Sequence, residues 1–457
     1  MPRISSLPPA TLPLDGTEQV PVVQGGVTKR TTTDAVGDTV LNNLAASAGS
    51  SLVGHIATGA GAATRTVQAK LRDVVSVKDF GAVGDGTADD QPEIAATLAA
   101  HKGVNLPFGT YRLGTALTLT TPCSIRSDDW RTIFTNKGIH LSPSNARYGM
   151  FQGFGLEGDD TGAGWKMTNA IDYTVMLRRV RDYEFGGDLD FSYLNEFIGG
   201  EFSFNVTGMR LKNFSNANVF INTAFSNNSG DGLVVLSSQA CTFLNLDVES
   251  NGGWGVVIDN ADNATLQNYG HNFIGGYVET NVAVTSAQGD FFIGRGANAV
   301  LTRDVTLQGV SHFGQKPYGY FVDYAFGTRI LYPNLAGATY SVSPIRLTAN
   351  SRNTTIKGVA MSQVSAASGA TVSIDTVQFG TVDVVLDGGG FGDVSINFPI
   401  QYHETPPVNL QLFSDGLPAG SLGTANIKNG IGTTGFYVQV IGGPGSQTVR
   451  LQWRAGR

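Results

Sequence analysis

One eight-residue pattern occurs four times along this chain, as IGGEFSFN at 198–205, INTAFSNN at 221–228, LNLDVESN at 244–251 and IGGYVETN at 274–281. The starts of these segments are 23, 23 and 30 residues apart. A period in the low twenties indicates a solenoid in which each repeat stacks on the one before. Apolar residues alternate within the segments, as on a strand with one buried face. With no helical pattern between the copies, we predict an all-β chain built on a right-handed parallel β-helix.

The alignment also predicts which side chains share a surface. In the third copy it places Leu244, Leu246 and Val248 inside, and Asp247 and Glu249 outside. Stacked rungs lie ~4.8 Å apart, so residues at equivalent positions form columns along the axis. The final Asn of each copy predicts a column of stacked amides. Two outward columns follow, one of Glu201, Ala224, Asp247 and Tyr277 and the other of Ser203, Ser226, Glu249 and Glu279.

Composition restricts the classes of function. The chain has 59 Gly and only 15% charged residues, which is typical of a turn-rich β protein. A net charge of −7 argues against a nucleic-acid partner. The two cysteines, Cys123 and Cys241, lie in strand-like segments, and we predict buried free thiols. We expect no metal site, no cofactor, no signal peptide and no membrane insertion.

The chain divides into four predicted regions. Residues 1–33 are rich in Pro and Thr, contain a hairpin signal at Gly25-Gly26, and are too short for a core of their own. Residues 34–74 combine a short amphipathic helix with a Gly/Ala/Ser/Thr-rich linker, because apolar residues recur there at helical spacing. The β-helix is predicted over 75–365. Longer alternating strands over 366–457 predict a separate β-sandwich for trimerisation or glycan binding.

Several segments resemble known families. The sequences VKDFGAVGDGTADD (77–90) and LPFGTYR (106–112) are similar to the opening of pectate-lyase-superfamily β-helices. GTEQVPVVQGGVT (16–28) resembles the N-terminal attachment segments of bacteriophage tail spikes, and VRLQWRAG (449–456) resembles the last strand of sandwich domains at tail-fibre tips. Taken in order, these pieces resemble a phage tail spike.

The resemblance implies further expectations. A tail spike is a homotrimer on the phage virion, assembled in the host cytoplasm. It is attached to a tail or baseplate protein, here through residues 1–33. It binds a bacterial surface polysaccharide, either capsule or O-antigen, and often cleaves it.

The catalytic residues of the polygalacturonase relatives cannot be transferred to this chain. Their Asn-Thr-Asp, Gly-His-Gly and Arg-Ile-Lys motifs do not occur, and Gly270-His271-Asn272 only imitates one of them. The assignment of a site must therefore depend on the outward columns.

Those columns contain the residues that glycoside hydrolysis requires. One carboxylic acid protonates the leaving oxygen while a second carboxylate acts as base or nucleophile. Like charges at this spacing raise the pKa of one member of the pair, as a general acid requires. We predict catalytic roles for Asp247, Glu249 and Glu279, and substrate binding by Tyr277, Trp254, Asp231 and Glu201.

Three alternatives stay open at this level. The same face can bind a glycan without cleaving it, or it can be an ordinary solvated strand face in a purely structural spike. A polysaccharide lyase is a further possibility, although that reaction calls for a Lys, Arg, His or Tyr base beside a uronate.

Overall fold

The structure is a computed structural model, in which the described residues are 14–129, 131–136, 141–260, 265–281, 288–294, 301–375, 378–385, 387, 389, 391–397, 408–413, 424–432, 435–441 and 448–455. The chain divides into two compact units between Val75 and Ser76, and each is described by itself.

The first unit begins with the predicted hairpin. Strands β1 (Gln19–Gln24) and β2 (Val27–Thr32) pair in antiparallel fashion. Gly25 and Gly26 form the turn with φ of 63° and 75°, the left-handed values that a two-residue type I′ turn needs. Helix α1 (Thr33–Ala45) follows, and the Thr32 hydroxyl caps it by accepting from the Ala35 N–H at 3.2 Å.

Helix α1 has no buried residue in this unit. Its apolar side chains Val36, Val40, Leu41 and Leu44 are 42–63% exposed. The unit continues through a 3₁₀ turn at Gly49–Ser51, an antiparallel pair of β3 (Gly54–His55) with β4 (Arg65–Thr66), and a short helix α2 (Val67–Leu71).

The second unit begins with a 3₁₀ turn at Val77–Phe80, has another at Met361–Gln363, and contains helix α3 (Gln91–Ala100), which buries Ile94 and Leu98 in the solenoid core. The solenoid strands of the described residues, in chain order, are β5 (Asp85–Asp89), β6 (Gly103–Asn105), β7 (Thr110–Leu113), β8 (Leu117–Leu119), β9 (Ser124–Arg126), β10 (Ile133–Asn136), β11 (Leu141–Pro143), β12 (Arg147–Gln152), β13 (Gly155–Glu157), β14 (Ala163–Thr168), β15 (Ile171–Met176), β16 (Arg179–Arg181), β17 (Phe185–Asp190), β18 (Glu196–Ile198), β19 (Glu201–Ser203), β20 (Thr207–Lys212), β21 (Val219–Ile221), β22 (Ala224–Ser226), β23 (Leu233–Leu236), β24 (Thr242–Leu244), β25 (Asp247–Glu249), β26 (Val256–Asp259), β27 (Asn272–Ile274), β28 (Tyr277–Glu279), β29 (Gly289–Ile293), β30 (Thr302–Arg303), β31 (Thr306–Gln308), β32 (Ser311–Val322), β33 (Ala325–Phe326), β34 (Arg329–Leu331), β35 (Asn334–Leu347), β36 (Thr354–Lys357), β37 (Val364–Ala366) and β38 (Val372–Asp375).

These strands confirm the parallel β-solenoid. One sheet of 12 strands, running from β6 to β38, forms the first wall, with β21, β24 and β27 stacked in parallel register. A sheet of 20 strands supplies the other two walls. One of these walls contains β19, β22, β25 and β28, the other contains β20, β23, β26 and β29, and β32 spans both.

Aromatic side chains fill the interior in register. The rings of Phe197, Phe220, Phe243 and Phe273 stack in sequence, with centroids 4.6, 5.2 and 4.3 Å apart. Each ring is at least 98% buried, so these four coils repeat the same contact from one coil to the next.

The predicted asparagine column is present at one corner. Asn205, Asn228, Asn251 and Asn281 are at most 2% exposed. Each Nδ2 donates to the Oδ1 of the next Asn, at 3.2, 2.8 and 2.8 Å along the series. The amides therefore satisfy buried groups where the chain leaves the strand.

One predicted orientation is wrong. Leu244 is 40% exposed, and the inward residue of that strand is Phe243 at 1%. Asn245 adopts φ of 52°, which bends the chain between β24 and β25 and breaks the strict alternation that the prediction assumed. After the bend Val248 points inward as expected. The first residues of all four repeats thus form an outer column of Ile198, Ile221, Leu244 and Ile274.

The parallel ladder continues past the predicted end at 365, because β36 pairs with β38 as far as Asp375. Beyond it, β39 (Gln378–Val385), β41 (Val408–Phe413) and β44 (Thr448–Ala455) form one antiparallel sheet. A second sheet contains β40 (Gly392–Asn397), β42 (Thr424–Ile431) and β43 (Gly435–Ile441). Both sheets contribute to one hydrophobic cluster, in which Phe436 meets Trp453 edge-on at 5.8 Å. This arrangement is that of a β-sandwich.

Candidate functional site

The strand register places the predicted acidic residues on one wall of the solenoid. Asp247 pairs with Tyr277, and Glu249 pairs with Glu279, between β25 and β28. The same columns run back to Glu201 on β19 and forward to Ser311 and Phe313 on β32. We call eight residues of these two columns the acidic face; they are Glu201, Ser203, Ser226, Asp247, Glu249, Tyr277, Glu279 and Phe313.

Two carboxyl groups on the acidic face, those of Asp247 and Glu249, have raised pKa values. Partial burial, followed by the charges of Glu201 and Glu279, raises the pKa of Asp247. Partial burial, followed by the charges of Asp247, Glu279 and Glu201, raises the pKa of Glu249. Each carboxyl therefore holds a proton more readily than an isolated side chain, because its neighbours are negative and water screens them only in part.

Glu279 has a different environment. The Tyr277 hydroxyl donates a hydrogen bond to Glu279 Oε2. That hydrogen bond, with smaller effects from burial and nearby carboxylates, raises the pKa of Tyr277 to about 12. The Tyr277 ring stacks on Phe313, with centroids 4.8 Å apart and planes inclined by 21°. A carboxylate that accepts a hydrogen bond thus lies beside a half-exposed aromatic pair.

Glu201 is fixed at the start of the acidic face. Arg179 Nε lies 3.1 Å from Glu201 Oε2, and the Ser226 hydroxyl donates to Oε1 at 3.2 Å. Ser203 occupies the same column as Ser226 and Glu249. It is fully buried, and its Oγ has no hydrogen-bond partner among the described residues.

Trp254 does not lie on the acidic face, so the prediction that it stacks against sugar is wrong. It is 3% exposed and packs with Val257 and Phe292, the Phe292 ring meeting it edge-on at 4.9 Å. The sequence prediction failed because Trp254 follows the Asn251 corner and packs against the next wall.

Asp231 has a structural role at the same corner. It precedes β23, and its Oδ1 accepts the backbone N–H of Trp254 at 2.7 Å. Of the seven residues predicted for the site, the register thus brings together Glu201, Asp247, Glu249, Tyr277 and Glu279.

A charged cluster lies inside the solenoid beneath β28 and β32. Asp290 accepts hydrogen bonds from Lys316, from Asn281 at 2.9 Å and from His312 Nδ1 at 2.7 Å. Lys316 Nζ also reaches the carbonyl of Val278 at 3.4 Å. Burial lowers the pKa of Lys316, while Asp290 opposes that change. This cluster replaces the asparagine column where the column ends at Asn281.

Phe313 and Arg179 were not found by sequence reasoning. The fifth coil, QGVSHFGQ at 308–315, starts 34 residues after the fourth and has His312 at the inward position, where the other copies carry an apolar residue. The glycine at 309, equivalent to Gly275, was the available signal. Arg179 lies on β16, one coil before the first recognised repeat.

Three expectations concern a metal site, the two cysteines and membrane insertion. Among the residues that the structure describes, no group of three His, Cys, Asp or Glu side chains is arranged to hold a metal ion. Cys123 and Cys241 are buried free thiols, as predicted. In the described part of the chain, no helix is long and apolar enough to cross a membrane.

The fold defines the class as a parallel β-solenoid protein with an acidic outer face and a terminal two-sheet unit. No protein-family model matches the chain. Two variant forms of the tailspike protein of E. coli bacteriophage HK620 share the fold, with TM-scores of 0.52 and 0.50 at 10% and 12% identity, covering 92% of this chain and 100% of theirs.

A tail spike protein of an Escherichia phage is 45% identical over 65 residues. This stretch is 14% of the present chain and 8% of the relative's length. The tail-spike resemblance is thereby confirmed along a short stretch of sequence, and the tailspike fold is confirmed by the structures.

Proposed function

We propose that this chain is a bacteriophage tail spike that binds a bacterial surface polysaccharide, capsule or O-antigen, and hydrolyses it on the acidic face. The main support for this proposal is the strand register, in which Asp247, Glu249 and Glu279 share one wall and Glu249 lies directly beside Glu279. The tailspike of HK620, whose fold this chain shares, has been solved with a pentasaccharide bound.

The environments of the two glutamates suit different roles. The pKa of Glu249 is raised by burial and by three neighbouring carboxylates, which suits the residue that donates a proton to the leaving glycosidic oxygen. Glu279 accepts the Tyr277 hydroxyl, so its carboxylate is oriented to attack the sugar or to activate water. The negative charge of Asp247 contributes to the raised pKa of Glu249. Glu201, held by Arg179 and Ser226, is placed to bind sugar hydroxyl groups.

The test is the release of new reducing ends from the host polysaccharide. We expect product with the wild-type chain, and a loss of at least about 100-fold with Glu249→Gln or Glu279→Gln, the usual contribution of a general acid or base. Glu196→Gln, on the neighbouring wall, is the matched control and should keep full activity. Cleavage that survives both site substitutions would contradict the proposed assignment.

Binding without cleavage is the second candidate. The stacked Tyr277–Phe313 pair favours it, because an aromatic platform binds sugar rings whether or not chemistry follows. This alternative predicts measurable affinity for the polysaccharide, no new reducing ends, and binding that is unaltered by Glu249→Gln or Glu279→Gln.

The remaining parts of the proposal concern assembly. We place the chain in the phage virion as a homotrimer made in the host cytoplasm, with residues 1–33 contacting a tail or baseplate protein. Residues 1–13 lie outside the described part of the chain. The exposed apolar side chains of α1 support self-association, since no residue of that helix is buried by the described residues of its own unit. The division into regions 1–33, 34–74, 75–365 and 366–457 remains part of this proposal, with the solenoid ladder extended to Asp375.

A further inference from the structure

We propose that the acidic face accepts an uncharged stretch of glycan, with Phe313 as a sugar contact, and rejects polyanionic glycans. This inference rests on the proposed polysaccharide binding and names the class of polysaccharide. Its basis is the excess of negative charge on the acidic face. Two further features of that face indicate a ligand: the Ser203 hydroxyl, which has no partner among the described residues, and the Tyr277–Phe313 stack.

The charges of the acidic face are carboxylates. Glu201, Asp247, Glu249 and Glu279 project from three strands of one wall. Arg179, the register partner of Glu201 on β16, lies with its Nε 3.1 Å from the Glu201 carboxylate.

The next cation along the same wall is also paired. Arg181 Nε lies 3.2 Å from both Glu157 and Asp182. Beneath the wall, the buried Lys316 interacts with Glu279 but is itself paired with Asp290. A uronate, sialate or phosphate group on this face would therefore meet net negative charge.

Carboxylates already present on the acidic face repel one another. Carboxylates of the same face contribute to raising the pKa of Asp247 and of Glu249, alongside partial burial. A ligand carboxylate would experience the same field, because it would enter the same partly desolvated environment. Neutral sugars avoid this cost, and their hydroxyl groups can donate hydrogen bonds to the carboxylates.

Two further observations indicate a ligand. Ser203 is fully buried in the column of Glu249, and its hydroxyl has no partner among the described residues. A buried hydroxyl without a partner is costly, so it favours a hydrogen-bonding group supplied from outside the chain. Beside the carboxylates, the half-exposed Tyr277–Phe313 stack offers apolar surface to the C–H groups of a sugar ring.

The test uses the full chain on an array of purified bacterial O-antigens and capsular polysaccharides. Each anionic polymer is printed beside its carboxyl-reduced form, which has the same linkages without the charge. We expect binding among neutral polymers, and at least about tenfold weaker binding of any anionic polymer than of its reduced form. In the double variant Glu249→Gln/Glu279→Gln, the difference in affinity between an anionic polymer and its carboxyl-reduced form should be smaller, because two of the repelling carboxylates are gone.

Phe313→Ala should weaken binding of the bound neutral polymer by about tenfold, as expected for loss of an aromatic contact. Phe108→Ala, which removes a 56% exposed aromatic ring at the start of the solenoid, is the matched control and should leave binding unchanged. Equal effects of the two substitutions would remove Phe313 from the site.

The outcomes separate the two proposals. An anionic polymer that binds as tightly as its carboxyl-reduced form, or more tightly, overturns the selectivity and leaves polysaccharide binding intact. Binding to none of the printed polymers overturns the proposed function, and the selectivity with it.

Discussion

At the scale of single residues, the acidic face shows how one wall can give similar side chains different chemistry. Glu249 is surrounded by carboxylates, whereas Glu279 accepts the Tyr277 hydroxyl. The two side chains are register partners on adjacent strands, so their difference comes from neighbours and not from position in the repeat. Enzymes that divide acid and base roles between two carboxyl groups use the same device.

The raised pKa of Asp247 gives a prediction about stability. Because the folded chain holds this proton more tightly than the unfolded chain, ionising Asp247 costs stability as pH rises through the folded pKa. Asp247→Asn should therefore stabilise the protein near neutral pH, on the order of 0.5 kcal/mol once solvent screening is included. Thermal unfolding at several pH values measures this difference.

The stabilisation expected from Asp247→Asn should disappear at low pH. Below about pH 3 the carboxyl is protonated in both states, so wild type and variant should unfold alike. Glu196→Gln, on another wall, is the control for removing an acidic charge. An Asp247→Asn variant that is less stable than wild type at neutral pH would show that this carboxylate has an attractive partner instead.

At the scale of elements, the buried asparagine column stabilises one corner of the stacked coils. Asn251 donates to the carbonyl of Phe225 at 2.9 Å and to Asn281 at 2.8 Å, and accepts from Asn228 at 2.8 Å. Since each coil repeats these bonds, removal of one amide leaves buried groups unsatisfied on both neighbouring coils.

We therefore expect Asn251→Ala to lower the free energy of unfolding by roughly 3 kcal/mol, because several buried partners are lost at once. Chemical denaturation followed by circular dichroism measures the change. Asn272→Ala is the matched control, since that side chain is only half-buried and makes one bond, to Gly270 at 3.3 Å. Similar losses for the two variants would contradict a special role for the column.

At the scale of the whole molecule, helix α1 is the clearest sign of self-association. Its apolar residues, including Val40 at 55% and Leu41 at 63% exposure, are not covered by the described residues of their own unit. A short helix of 13 residues is marginal alone in water, and burial against other copies would stabilise it.

Sedimentation of the full chain tests this proposal. We expect a trimer for wild type, and dissociation constants raised by at least about 100-fold for Val40→Asp/Leu41→Asp, because both substitutions place charge in an apolar contact. Asn42→Asp adds charge to the same helix without removing an apolar side chain and serves as the control. A wild-type chain that sediments as a monomer would contradict the trimer.

The sequence alone determined the solenoid and the columns of its outer wall. The eight-residue motif fixes which strands stack, even where the step between copies is 30 residues instead of 23, so Glu249 and Glu279 could be paired by aligning its copies. Period-two alternation correctly predicted that Val248 faces inward. The buried asparagine column followed from the same alignment, because a regular ladder turns equal sequence positions into neighbours in space.

Only the tertiary structure decided what happens where the ladder bends or changes. Left-handed residues such as Asn245 turn the chain between walls, which reversed the predicted orientation of Leu244. Trp254 became part of a hydrophobic cluster, and Phe313 joined the acidic face, through contacts between residues distant in sequence. Local spacing does not encode such contacts, since they depend on how corners and neighbouring walls pack around each strand.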